Sequence, residues 1–410
     1  MINQKVYKIL YKKYLGEYFD NNKTSKALGY FEKNYYCEMF YDAVNQADDE
    51  KSKCILKKML SSKGYLNNYV FIEAFCKCCL EKDASKRIYF YETTLIKDLS
   101  DNIKFTKKSD WEKILYLILS QRMYRLALCV RNKFIDFLKV KGKFRDRYSV
   151  CIENGEYKQA EAMLKKSIKL KILKAVQHPN FYRYYNSLPT WKKARGNDEY
   201  LDKEFKSYIK DKRILIIGPS DNGEIYEINP KYDVVVRFAC FEGEADISYY
   251  NGLHSVRMEN NGTVPEGVKF CVFKYRRQNS FRNNLYEKKV GRMARWSLMM
   301  MLSGCSPNML QVALADLLHY TDKIEVRDNN LYLNNIYKEG YASNELLKNM
   351  NGYKKNSMFA QHDILGNFRY TSSLFRNGFF SADSKLTNIL NMTEEEYAYQ
   401  MECNNLFVEG

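Results

Sequence analysis

The hydrophobic pattern changes near residue 200 and divides the chain into two halves of different predicted structure. Before that point apolar residues recur at three- and four-residue steps, as in WEKILYLILSQRMYRLALCVRNKFIDFLKV at 111–140, which is typical of amphipathic helices. Beyond it lie four short β-branched runs: RILIIG at 213–218, DVVVRF at 233–238, VKFCVF at 268–273 and KIEV at 323–326. Such runs are typical of strands buried in a parallel sheet. Because helical segments separate them, the second half is predicted to be an α/β layered domain.

The helical half contains one more specific pattern. In segment 149–170, Gly155 and Tyr157 precede Ala160, an arrangement similar to the helix–turn–helix of a tetratricopeptide-type repeat. No period of about 34 residues recurs upstream, so ordinary helical hairpins are the alternative. Residues 178–200 bring two prolines and a Gly-Asn-Asp break, which is typical of a linker. We predict a basic, repeat-like α-helical domain at 1–177, a linker at 178–211 and an α/β domain at 212–410 that contains the candidate site residues.

The C-terminal segment is predicted to be helical. Thr393 is placed as an N-cap, and three glutamates follow it in the first turn. We expect this helix to pack back on the sheet domain.

Composition excludes several classes of protein. Hydrophobic residues make up 45% and aromatic residues 15% of the 410 residues, which excludes a disordered chain. The sequence contains neither an apolar run of about 18 residues nor a secretory signal pattern, so a cytoplasmic protein is expected. The eleven cysteines are scattered, and the four histidines lie far from the cluster at 76–79. Reduced thiols are therefore expected, and a zinc site is not.

The net charge of +17 is unevenly distributed. Residues 1–205 carry a net charge of +16, whereas residues 206–410 carry +1. This asymmetry does not fit nucleic-acid binding by the whole protein. It favours an N-terminal module that meets an anionic membrane surface or an acidic polymer, and a lysine-rich solvated helical surface is the alternative.

The segment KRILIIGPSDNGEI at 212–225 is the first candidate for chemistry. Ligands of parallel α/β sheets bind beyond the carboxyl ends of the strands. Gly218, Pro219, Ser220 and Asn222 follow such a strand, and glycine there permits a close backbone approach that can cradle an anion. The segment contains neither the P-loop pattern nor GxGxxG, which disfavours ATP and dinucleotides. An ordinary strand–turn is the alternative.

Further polar residues follow the later predicted elements. Arg237 lies at the end of the second predicted strand, and Asp246 lies in the acidic turn after it. Ser306 and Asn308 stand at the head of a predicted helix, whose N-terminus suits a phosphate or carboxylate. His362 precedes another apolar segment, and its ordinary pKa near neutrality suits acid–base chemistry. A capping role for His362 or Asp246, and an ion pair for Arg237, are the alternatives.

The order of these motifs resembles the eukaryotic-type sialyltransferase family over residues 212–368. Asp233 to Arg237 match an Asp-Val-Val-x-Arg element, and Asp246-Ile247 match the Asp-Val that follows it. Ser306 to Val326 match the family's small motif, and His362 matches its late histidine. The family's His-Tyr-Tyr element has no counterpart in the chain. Related bacterial enzymes add sialic acid or Kdo from CMP donors to capsules and lipopolysaccharide.

The resemblance implies a fold, a reaction and a set of site residues. The fold would be a Rossmann-like variant of the sialyltransferase or GT-B type. The reaction would be transfer of sialic acid or Kdo from a CMP-sugar to a glycan or glycolipid acceptor, by a protein peripheral at the inner membrane, without a cofactor or metal. His362 and Asp246 would be catalytic, their roles as base, phosphate ligand or nucleophile staying open, and Arg237 would meet the donor carboxylate or the acceptor. CMP would bind to Gly218, Pro219, Ser220, Asn222, Ser306 and Asn308.

A different class of function competes with the glycosyltransferase. The chain could instead be a non-catalytic helical-repeat adaptor whose second half is a degenerate nucleotide-binding domain.

Overall fold

The computed structural model describes residues 51, 54, 69–81, 83–100, 103–165, 199–220, 231–238, 245–250, 267–274, 291–294, 302, 307–333 and 362–405. The chain forms two compact units, Met1–Leu99 and Ser100–Gly410. This division differs from the sequence-based boundaries at 177 and 212. The helices between residues 108 and 165 belong to the same unit as the sheet, because they share buried contacts with the C-terminal helices.

The described part of the first unit is helical. It comprises α1 (Tyr69–Leu80), α2 (Ala84–Phe90) and a π-helix (Tyr91–Leu99). Asp83 caps α2 by accepting a hydrogen bond of 3.0 Å from the backbone N–H of Lys86. Phe71, Phe75 and Leu95 are buried at the core of these helices.

Among the described residues of the second unit, five helices precede the sheet. They are α3 (Lys108–Ser120), α4 (Tyr124–Lys141), α5 (Phe144–Glu153), α6 (Tyr157–Lys165) and α7 (Glu199–Ile209). The predicted hairpin is observed in α5 and α6, where Gly155 adopts a φ of 75° that favours glycine. Tyr157 packs edge-on against Phe379 in the C-terminal part of the unit. A tetratricopeptide-type repeat stays a prediction.

A seven-stranded parallel sheet forms the centre of the second unit. Its strands are β1 (Ile214–Ile217), β2 (Val234–Phe238), β3 (Ile247–Tyr250), β4 (Phe270–Phe273), β5 (Gly291–Met293), β6 (Ile324–Arg327) and β7 (Ser381–Ala382). Their order is β5-β4-β3-β2-β1-β6-β7. All pairs are parallel, and Ile214 lies level with Val234 on one side and Ile324 on the other. The predicted α/β class is confirmed, and β3, β5 and β7 are additional to the four predicted strands.

The strand order defines where a ligand crevice is expected. Strands β2 to β5 follow one another along the chain and extend the sheet on one side of β1. The chain then crosses over, and β6 pairs with β1 on its other side. Such a switch point leaves a crevice outside the carboxyl ends of the two strands that flank it. Gly218 directly follows β1 and Asp328 directly follows β6, so both lie at this point.

Four further helices of the second unit lie within the described residues. They are α8 (Met309–Leu317), α9 (Ile364–Arg376), α10 (Ser384–Asn391) and α11 (Glu394–Asn405). Because α8 leads back into β6, its first turn lies at the carboxyl edge of the sheet. The predicted cap of α11 is confirmed, since the Thr393 hydroxyl accepts from the Glu396 N–H at 3.1 Å. This helix packs mainly on α4.

A buried ion pair fixes α8 on the sheet. Asp316, near the end of the helix, accepts hydrogen bonds of 2.5 and 3.1 Å from the guanidinium of Arg292 on β5. The Tyr249 hydroxyl on β3 donates to the same carboxylate at 2.7 Å. All three side chains are buried. The far end of α8 is thereby tied to two strands, which sets the direction in which its first turn points.

Candidate functional site

The first turn of α8 presents an unused side-chain donor at the carboxyl edge of the sheet. Asn308 occupies the N-cap position but makes no side-chain capping bond. Its side chain is buried, at 8% exposure, and within the described part of the chain its Nδ2 has no hydrogen-bond partner. The first intrahelical bond runs from the Val312 N–H to the Asn308 carbonyl, so the preceding amides have no acceptor within the helix. An anion is the natural ligand of such a helix start.

Lys274 lies beside this turn and was not identified from the sequence. It directly follows β4, and its backbone N–H bonds to the Tyr250 carbonyl at 3.1 Å. The side chain is only 3% exposed, and Nζ donates to the carbonyl of Pro307, the residue before Asn308. Burial lowers the pKa of Lys274 to about 7. A buried lysine with a shifted pKa at a strand end indicates a functional site.

Asn367 joins the two predicted site residues Asn308 and His362. Its Oδ1 accepts from the Asn308 N–H at 2.9 Å, and its Nδ2 donates to the carbonyl of His362 and, at 3.1 Å, to that of Asp363. His362 is half-buried at the start of α9. Two predicted site residues that are distant in sequence therefore meet at one edge of the sheet.

A buried charge network holds the start of α9. Asp363 has a left-handed φ of 42° and caps the helix by accepting from the Gly366 N–H at 3.2 Å. Its carboxylate pairs with Arg131 on α4 at 2.7 Å, and Arg131 pairs with Glu153 on α5 at 2.6 Å. Burial raises the pKa of Glu153 to about 7, although Arg131 acts in the opposite direction. The helical layer thus positions the backbone that carries His362.

Gly218 and Ser220 use their backbone donors for strand pairing. The Gly218 N–H bonds to the Arg327 carbonyl at 2.8 Å, and the Ser220 N–H bonds to the Asp328 carbonyl at 3.0 Å. Pro219 has no N–H. A Cβ at Gly218 would collide with the Asp328 carbonyl oxygen, so glycine is required here for close strand packing. These two N–H groups are therefore engaged with β6 and the residue after it. Binding of CMP by Gly218, Pro219 and Ser220 stays a prediction, and Asn222 and Ser306 lie outside the described residues.

The loop after β6 lies at the switch point and is a second feature that sequence analysis missed. Asp328, Leu331 and Tyr332 all have positive φ angles, between 47° and 70°. The Asp328 N–H bonds to the Asp383 carboxylate at 2.8 Å, and the Tyr397 hydroxyl donates to the Leu331 carbonyl. Backbone strain of this kind persists only where surrounding contacts fix it, and it clusters at functional sites.

Asp246 lies at the opposite edge of the sheet. It directly precedes β3 and accepts from the Val235 N–H at 2.9 Å and from the Tyr208 hydroxyl at 2.7 Å. Lys269, which precedes β4, pairs with it at 3.2 Å. Burial alone would raise the pKa of Asp246, but these hydrogen bonds lower it. The structure does not bring Asp246 together with His362, and the carboxylate instead ties two strands and α7.

Arg237 lies near the carboxyl end of β2. It is level with Ile217 of β1 and is half-buried. This register places Arg237 on the same edge of the sheet as Gly218 and Lys274.

A cavity of about 430 Å³ lies between α4 and α9, and none of the edge residues discussed above lines it. Arg369 lines it and donates to Asn132 at 2.8 Å and to the Glu394 carboxylate. Arg369 also lies 3.9 Å from the Glu153 carboxylate, so the cavity borders the charge network. The other lining residues are Ile135, Asp136, Lys139, Asn154, Phe368, Ser372, Ser373, Arg376 and Asn377.

Comparison with known proteins gives no relatives: no protein-family model, no curated protein and no solved structure matches the chain. Within the described residues, no group of three or more histidine, cysteine, aspartate or glutamate side chains is arranged to hold a metal ion. Over the same residues, no helix combines the length and the apolar character needed to cross a membrane.

Proposed function

We propose that the chain is a glycosyltransferase that transfers sialic acid or Kdo from a CMP-activated donor to a glycan acceptor of a bacterial surface polysaccharide. The observation that carries the proposal is the convergence of Asn308, Lys274 and His362 at the carboxyl edge of a parallel sheet. The order of motifs along residues 212–368 supports the sialyltransferase-like variant of the fold.

The geometry suits the requirements of such a transfer. The bond between the sugar and the CMP phosphate breaks, a bond to the acceptor oxygen forms, and the acceptor hydroxyl loses its proton. The Asn308 side-chain amide and the positive end of α8 are suited to the phosphate, whose negative charge grows as CMP leaves. His362, held at the same edge, is suited to donate a proton to the leaving phosphate or to accept the acceptor's proton.

The proposal changes the role of Asp246 and keeps that of Arg237. Asp246 is assigned to strand tethering, because its contacts lie at the amino edge of the sheet. Arg237, at the carboxyl edge, is assigned to the carboxylate that both donor sugars carry, since guanidinium and carboxylate groups pair well. The reaction needs no metal for its leaving group.

The basic half supports a location at the membrane surface. Residues 1–205 carry nearly all of the net charge, and clustered lysines are attracted to anionic lipid headgroups. We propose that this half, including a repeat-like helical part, brings the catalytic unit to a membrane-bound acceptor.

The test is incubation with CMP-Neu5Ac and with CMP-Kdo, with released CMP measured by chromatography. Wild-type protein is expected to release CMP from one of the donors in the presence of a glycan acceptor. His362→Ala should lower the rate by roughly 10²- to 10⁴-fold, the range of general acid–base catalysis. Asp246→Asn is the matched control and should stay near the wild-type rate.

Two results would contradict the proposal. One is the absence of CMP release together with no thermal stabilisation by CMP. The other is a wild-type rate of CMP release in a folded His362→Ala variant whose unfolding temperature equals that of the wild type.

A further inference from the structure

The burial of Lys274 costs free energy that a residue with a purely structural role would not need to incur. Burying an ammonium group disfavours its charged form, and Lys274 is only 3% exposed. Its aliphatic stem could be replaced by an apolar side chain without that cost. The lysine lies at the carboxyl end of β4, where ligands of parallel sheets bind, and its Nζ contacts the turn that starts α8.

Asn308 supplies a second and independent observation. Its Nδ2 is buried and has no partner within the described part of the chain, although buried polar groups are normally hydrogen-bonded. Its own backbone N–H is already bonded to Asn367. A side-chain donor without an acceptor, at a helix start, indicates the place of a missing acceptor atom.

The charges around the turn favour an anionic ligand. Two carboxylates of the elements that flank the turn are already paired with arginines: Asp316 pairs with Arg292, and Asp363 pairs with Arg131. The helix start adds partial positive charge. An ammonium group has three N–H donors, so one can hold the Pro307 carbonyl while another reaches a ligand oxygen.

We propose that Lys274, Asn308 and the first-turn amides of α8 form a phosphate-binding site in which Lys274 is the direct cationic contact. The inference rests on the proposed function and assigns the residue that neutralises the nucleotide phosphate. Burial lowers the pKa of Lys274 to about 7, and a bound anion favours the charged form. Lys274 therefore gains a proton as the phosphate binds at neutral or higher pH.

The test observes Lys274 directly. The full chain is labelled with [ε-¹³C]lysine, and the Lys274 signal is assigned as the peak that disappears in both Lys274→Met and Lys274→Arg. The probes are inorganic phosphate and then CMP. We expect the Lys274 peak to move toward the position of a charged lysine in both titrations, with saturation.

Affinity measurements provide the matched comparison. Lys274→Met should weaken CMP binding by roughly tenfold or more, because it removes one partner of a desolvated charge pair. Lys269→Met is the control, since Lys269 lies at the amino end of the same strand and pairs with Asp246. CMP affinity should be unchanged in that variant.

The outcomes separate this inference from the glycosyltransferase proposal. An unmoved Lys274 peak at saturating CMP, or wild-type CMP affinity in Lys274→Met, overturns the inference even where sugar transfer is observed. Equal movement of the Lys269 and Lys274 peaks indicates non-specific ion binding and also overturns it. A saturable shift of Lys274 alone supports the inference, and if no donor sugar is then transferred, only the glycosyltransferase proposal fails.

Discussion

Lys274 shows how burial gives one residue a chemistry that its sequence context does not indicate. It is the first residue after VKFCVF at 268–273, an apolar run that was correctly predicted to contain a strand. A lysine in sequence is expected to be solvated, and only the packing around Pro307 shows that this one is buried. Asn308 was recognisable because a turn before a predicted helix is a familiar anion site.

The pH dependence of stability tests the state of Lys274. Its pKa is lowered from 10.5 in the unfolded chain to about 7 in the folded protein. Between these values the unfolded chain binds the proton and the folded protein does not, so this lysine makes stability rise from pH 7 toward pH 10.5. Lys274→Met should remove that contribution and should be at least as stable as wild type at about pH 7.

The measurement is urea unfolding of both proteins at about pH 7 and about pH 9.5, two values that lie within the window between the folded and unfolded pKa. Between the lower and the higher pH, the free energy of unfolding of the wild type should increase relative to that of Lys274→Met. Parallel profiles would show that Lys274 keeps an ordinary pKa in the folded protein.

At the scale of elements, the boundary of one strand decides where Asp246 lies. The residues DVVVRF were correctly predicted as a strand, but ISYY at 247–250 was not predicted as the next one. If β3 is overlooked, Asp246 is assigned to a turn after β2 and therefore to the carboxyl edge of the sheet. With β3, it directly precedes a parallel strand and lies at the amino edge. A four-residue strand with two tyrosines gives too weak a periodic signal to settle this from sequence.

The anchoring of α8 gives a prediction at the same scale. Arg292→Met would leave Asp316 buried without its main partner, which typically costs about 3–5 kcal/mol. The double variant Arg292→Met/Asp316→Leu removes both charges and should be less destabilised than Arg292→Met alone. Urea unfolding of Arg292→Met, Asp316→Leu and the double variant measures the coupling free energy between the two side chains. If the losses of unfolding free energy in the two single variants add up to the loss in the double variant, the pair does not hold the helix.

At the scale of the whole molecule, the helices of 108–165 belong with the sheet. Apolar periodicity predicted those helices, but it does not reveal which partner their buried faces contact. The partners are groups distant in sequence: Arg131 pairs with Asp363, and the Ser373 hydroxyl donates to the Glu153 carbonyl at 3.0 Å. Helical periodicity carries no information about such long-range pairs. The sequence therefore predicted the helical and the α/β parts of the chain and four of the strands of the sheet. It did not predict that the helices of 108–165 belong to the same compact unit as the sheet.

Glu153 provides a pH test of this packing. Its pKa is raised from 4.5 to about 7 in the folded protein, so between these values the folded protein binds a proton that the unfolded chain releases. This group therefore makes stability fall as pH rises from 4.5 to 7. The glutamine of Glu153→Gln has no titratable group, so this variant should lose the part of the pH dependence of stability that Glu153 contributes. Thermal unfolding at about pH 5 and about pH 7.5 should show a smaller pH effect in the variant, and an unchanged pH effect would contradict the assignment.

Hydrogen–deuterium exchange with and without CMP tests the central claim, a nucleotide site at the carboxyl edge of the sheet. CMP is expected to slow exchange at the start of α8, residues 308–312, and at the start of α9, residues 362–367. Exchange at the amino edge, in α7 and around Asp246, should not change. Protection confined to the amino edge, or no protection anywhere at saturating CMP, would contradict it.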